Sequence, residues 1–82
     1  MWFVFCPDNG GTMEYHRLDT ATGEHKIGTM EFESAADGAA WAARFLTEID
    51  DNVPFPQELH VVNLEESVTL ILIRKKNEPP TI

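Results

Sequence analysis

Cys6, His16, His25 and His60 are the side chains here with the chemistry of metal ligands or nucleophiles. Zinc sites repeat such residues at short, fixed intervals, and these spacings match none of them. His16 and His25 meet only if the register of a hairpin between them allows it. Cys6 beside a histidine has the composition of a nucleophile pair. It follows an apolar run, Trp2 to Phe5, and reads instead as a buried thiol. The adjacent acids Asp50-Asp51 and Glu65-Glu66 point apart on a strand or turn, which does not suit a general acid/base couple. Gly10-Gly11 and Gly23 are isolated turn glycines and make no phosphate loop. Trp2, Phe3, Phe5 and Tyr15 have the aromatic character of an RNA-stacking sheet, but no positive charge surrounds them. Arg74-Lys75-Lys76 reads as a device that stops edge pairing or solvates a strand end. No catalytic residue, cofactor or metal is expected, and no enzymatic activity.

The charge balance points elsewhere. Among 82 residues, 14 acids face 6 lysines and arginines, a net charge of −8. Phosphates of nucleic acid or of an anionic membrane would repel such a chain, whereas a basic protein surface would attract it. The single cysteine excludes an internal disulfide and fits a reducing compartment. The apolar start is too short for a signal sequence, and no run approaches the roughly 18 apolar residues of a membrane span. A cytoplasmic protein is expected.

The elements that must carry these charges follow from hydrophobic period and turn chemistry. Ser34 to Asp51, SAADGAAWAARFLTEIDD, is the one segment with a clear helical period. Ser34 with Asp37 has the form of a capping box. Ala35, Ala39, Ala42, Leu46 and Ile49 share a face, flanked by Trp41 and Phe45. Gly38 costs about 1 kcal/mol against alanine, which suggests a close contact. The acids Glu48, Asp50 and Asp51 crowd the negative end of the helix dipole, where cations are favoured. Around the helix five strands are expected: Met1 to Phe5, Met13 to Leu18, Glu24 to Glu33, Glu58 to Leu64 and Val68 to Ile73. The intervening turns are Pro7 to Gly11, Asp19 to Gly23 and Glu65 to Ser67. Two prolines make residues 52–57 a loop, with Phe55 tucked under the helix end.

The order βββαββ predicts an α+β fold, an antiparallel five-stranded sheet with one helix packed on one face. One domain covers residues 1–76, and 77–82 form a flexible tail. The first and last strands are apolar on both sides and belong mid-sheet. This predicts the spatial order fourth, fifth, first, second, third. Ile71 and Ile73, with Trp2 or Phe3, then lie on the uncovered face and offer a dimer surface. Alternating strand directions place Asp8, Glu14, Glu31, Glu33, Asp37, Glu65 and Glu66 together where the helix begins, with no lysine or arginine among them. The opposite end holds Asp19, Glu24, Glu48, Asp50, Asp51 and Glu58, offset by Arg17, Lys26 and Arg74-Lys75-Lys76.

A short acidic chain with a lone alanine-rich helix (SAADGAAWAARFL) and a following hairpin (ELHVVNLEESVTLILI) resembles the small phage-borne anti-CRISPR proteins in layout. The resemblance implies a non-enzymatic inhibitor in the cytoplasm of a host bacterium. Such a protein binds a CRISPR effector complex and blocks its basic nucleic-acid channel. The acidic pole would then act as a nucleic-acid mimic on an arginine- and lysine-lined groove. The competing expectation is a small assembly module that homodimerises through the uncovered face of its sheet.

Overall fold

The computed structural model describes residues 1–82, apart from the side chain of Asn9. The fold is α+β: one helix packs on one face of an antiparallel five-stranded sheet. Strand β1 (Trp2–Cys6) leads through a 3-10 turn (Pro7–Asn9) into β2 (Gly11–Thr12) and β3 (Glu14–Leu18). Strands β4 (His25–Thr29) and β5 (Glu31–Phe32) return to helix α1 (Ala35–Thr47). Strands β6 (Gln57–Asn63) and β7 (Val68–Arg74) close the chain as a hairpin.

Helix α1 starts where the sequence says. Ser34 has extended backbone, and its Oγ accepts the Asp37 N–H at 3.1 Å. Gly38, Ala42 and Leu46 are buried at four-residue spacing and lie on the sheet. A Cβ on Gly38 would stand 2.8 Å from Val61 Cγ1, closer than carbon atoms tolerate. That glycine therefore sets how near the helix sits. Val4, Leu59, Val61 and Leu72 complete the core from β1, β6 and β7, with Trp2, Cys6, Met13 and Phe32 around them. Burying such a side chain contributes roughly 1.5–3 kcal/mol. Cys6 is a free, half-buried thiol on this face.

The strand order differs from expectation. Strand β6 pairs with β1 on one side and β7 on the other, so β7 lies at an edge. The sequence order for the last two strands is thus reversed in space. Alternation along a strand reports which faces are buried, not how many neighbours the strand has. In β7, Leu70 and Leu72 face the helix, while Ile71 and Ile73 face the open side. The segment after β7 turns back on this edge. Thr81 and Ile73 exchange backbone hydrogen bonds of 2.8 and 2.9 Å.

The third expected strand is divided into β4 and β5; the second is β3, and a short additional strand, β2, forms at Gly11–Thr12 just before it. Strand β2 pairs with the end of β1 (Phe5↔Thr12, Cys6↔Gly11), and β5 pairs with its beginning (Trp2↔Phe32, Phe3↔Glu31). Both run antiparallel to β1, along one line. Met13 and Met30 join them where the Met30 N–H donates to the Met13 carbonyl at 2.9 Å. Residues 14–29 leave the sheet from this junction as a separate hairpin arm, β3 with β4. Every residue of β3 is exposed.

Candidate functional site

Three places hold the chemistry-bearing residues: the end of the sheet where the helix begins, the open face of the sheet, and the arm.

The first end is built on a row of paired residues. Phe32, Trp2 and Asn63 lie side by side across β5, β1 and β6. Beyond Phe32 come Glu33 and the Ser34 cap; beyond Asn63 come Leu64, Glu65 and Glu66. Strands about 4.8 Å apart place these two acidic exits roughly 10 Å from each other. Asn63 is buried, and its Oδ1 accepts the N–H groups of Glu65 at 3.1 Å and Glu66 at 3.2 Å. This turn fixes the backbone that carries both glutamates while leaving their carboxylates outside. Ser67 completes it in the left-handed region at φ 55°. Asp37 sits in the first helical turn, where the dipole favours a negative charge. Glu31 pairs with Phe3 one step inward.

Glu31, Glu33, Asp37, Glu65 and Glu66 thus share this end, as expected. Two other expected members do not. Asp8 follows Cys6 and lies at the opposite end, because β5 returns antiparallel to β1 rather than in a meander. Glu14 lies at the root of the arm, opposite Thr29. Among the described residues the ion pairs are His60–Glu58 and Arg74–Asp51, and neither involves an acid of this end.

Arg74 explains the acid-rich end of the helix. Its guanidinium donates to the carbonyls of Leu46 (2.7 Å), Thr47 (3.3 Å) and Ile49 (3.1 Å). It also reaches Asp51 Oδ1 at 3.4 Å and stacks 5.2 Å from the centre of the Phe55 ring. The side chain is only 12% exposed. A planar cation with several donors satisfies the free carbonyls of a helix end and complements its dipole. The signal for this lay in the run of acids after Thr47, which outnumber the one cation of the last turn, Arg44.

The open face carries Phe3, Phe5, His60, Val62, Ile71 and Ile73, all on one side by register. Phe3, not Trp2, joins Ile71 and Ile73 there; Trp2 packs toward the helix. Phe3, Phe5, Val62 and Leu64 with Thr12 and Thr29 line a cavity of about 330 Å³ between the sheet and the root of the arm. Glu58 and His60 bond at 2.9 Å beside it. Ile71 is exposed.

The arm brings together residues that spacing alone did not. Its turn is tied by Asp19, whose Oδ1 accepts the Ala21 and Thr22 N–H groups, and by Gly23 at φ 74°. The resulting register pairs His16 with Ile27 and Leu18 with His25. His16 and His25 are diagonal neighbours, with Nδ1 and Nε2 3.1 Å apart. On the other face the Tyr15 ring covers Gly28, where a Cβ would collide with it at 2.5 Å. Arg17 lies opposite Lys26.

No group of three or more metal-ligating side chains occurs among the described residues, and no helix is long and apolar enough to cross a membrane. The chain matches no protein-family model, and neither curated proteins nor solved structures contain a significant match to it.

Proposed function

We propose that this chain is a non-enzymatic protein-binding inhibitor that docks its acidic end on a basic protein surface. The supporting observation is the grouping of Glu31, Glu33, Asp37, Glu65 and Glu66 at one end, outside every ion pair, while Arg74 is held at the other. Carboxylates displayed on a fixed turn and a capped helix start meet an arginine- and lysine-lined groove without reordering their backbone. The layout resemblance makes the partner a bacterial CRISPR effector, with its nucleic-acid channel as the blocked surface. The cytoplasm of the bacterium is the corresponding site of action. A pull-down from bacterial lysate tests this. Capture of a nucleic-acid-binding complex at low salt, lost at high salt and lost with Glu33, Glu65 and Glu66 changed to lysine, supports the reading. Capture that ignores both changes refutes it.

A second reading has its own observation. The open face is apolar at Phe3, Phe5, Val62 and Ile71 and hollowed by the cavity beside Leu64. A second copy of the chain covers such a face in an assembly module. Light scattering at high protein concentration decides: a salt-insensitive dimer broken by Ile71→Lys or Ile73→Lys supports it, and a monomer removes it.

A further inference from the structure

We propose that His16 and His25 form a two-ligand site for a divalent transition-metal ion at the exposed face of the arm. Imidazole nitrogen is the preferred protein donor for zinc, copper and nickel. The pair is placed by register and not by local sequence: the Asp19–Gly23 turn sets β3 against β4, which makes the two rings diagonal neighbours. Their facing nitrogens are 3.1 Å apart and the ring centres 5.1 Å. With metal–nitrogen bonds of about 2.05 Å, a 3.1 Å separation corresponds to an angle of roughly 100° at the metal, within the range of adjacent ligands in tetrahedral and square geometry. In the free chain this contact is a hydrogen bond in which one ring nitrogen donates to the other. A shift of that ring to its other tautomer, with a rotation about the side-chain torsions, frees both lone pairs to converge on one ion.

The surroundings suit this use. Both residues are exposed, so an ion enters without displacing core groups. Glu14 lies on the same face as His16, two residues along β3, and adds negative charge nearby. Arg17 and Lys26 lie on the opposite face. The remaining coordination positions belong to water or to a group from a docked protein, since no third ligand of this chain is close. Two ligands bind more weakly than a closed four-ligand structural site. The affinity order follows ligand-field preference, copper above nickel and zinc.

Titration of the untagged chain with copper(II) chloride, followed by calorimetry, tests the site. One ion per chain is expected, with affinity falling at least tenfold in His16→Ala and in His25→Ala and unchanged in His60→Ala. Circular dichroism checks that each variant is folded. Paramagnetic broadening in the unmodified chain provides a second readout and should centre on the His16 and His25 ring signals. Absence of saturable binding overturns the proposal, as does binding that survives both substitutions or broadening centred on His60.

Discussion

The two ends of helix α1 handle charge in opposite ways. At the C-terminal end Glu48, Asp50 and Asp51 follow carbonyls that already carry partial negative charge, and Arg74 enters from β7 to satisfy them. That cation is held by the helix end, by Phe55 and by Asp51. At the N-terminal end Ser34 caps the helix, Asn63 ties the Glu65-Glu66 turn, and the carboxylates stay outside any ion pair. The first arrangement uses charge to hold the fold. The second uses polar uncharged groups to hold the fold and leaves the charge outward. A surface of that second kind can be altered with little effect on stability, which separates recognition from folding in experiment.

Substitutions that break the contrast should differ in size. Arg74→Ala removes hydrogen bonds to three carbonyls at a mostly buried position, and should destabilise by about 2–3 kcal/mol in urea unfolding. The Asp51 partner contributes little of this, since it is 67% exposed. Arg74→Lys keeps the charge but not the planar fork, and should lose about half as much. At the other end Ser34→Ala removes the cap and should cost about 1 kcal/mol. Gly38→Ala should also destabilise by about 1 kcal/mol, because the clash with Val61 outweighs the gain in helix propensity. A stabilising Gly38→Ala would show that the helix can lift from the sheet. Glu33→Gln, Glu65→Gln and Glu66→Gln together should change the unfolding midpoint least, within about 0.5 kcal/mol.

The sequence showed more of the helix than of the sheet. Ser34 and Asp37 declared the start of α1 through capping. The expected face of Ala35, Ala39, Ala42, Leu46 and Ile49 contains two of its three buried residues, Ala42 and Leu46; the third, Gly38, was marked as a close contact by its cost in a helix. The strands were recognisable one by one, but their neighbours were not. Ile71 and Ile73 made β7 look central, although those side chains face the open side of an edge strand. Placing β7 inside left β6 at the edge, although β6 is flanked on both sides. The path of residues 11–32 was the least visible. Nothing in MEYHRL or HKIGT states that the hairpin leaves the sheet at Met13 and Met30, and this departure is what moved Asp8 to the far end. Five of the seven acids expected at the helix start still lie there, because Glu31, Glu33, Asp37, Glu65 and Glu66 are placed by β5, the cap and the β6–β7 turn. Those connections are short and depend little on the route of the arm.

The most direct measurement compares two variants of equal net charge for competition with nucleic acid on a purified CRISPR effector. One carries Glu33→Gln, Glu65→Gln and Glu66→Gln; the other carries Glu24→Gln, Glu48→Gln and Glu78→Gln, which lie away from that end. Position, not total charge, should decide the outcome: the first variant fails to displace the nucleic acid, and the second competes like the unmodified chain. Equal competition by both variants, or equal loss in both, would contradict a docking surface at the start of the helix.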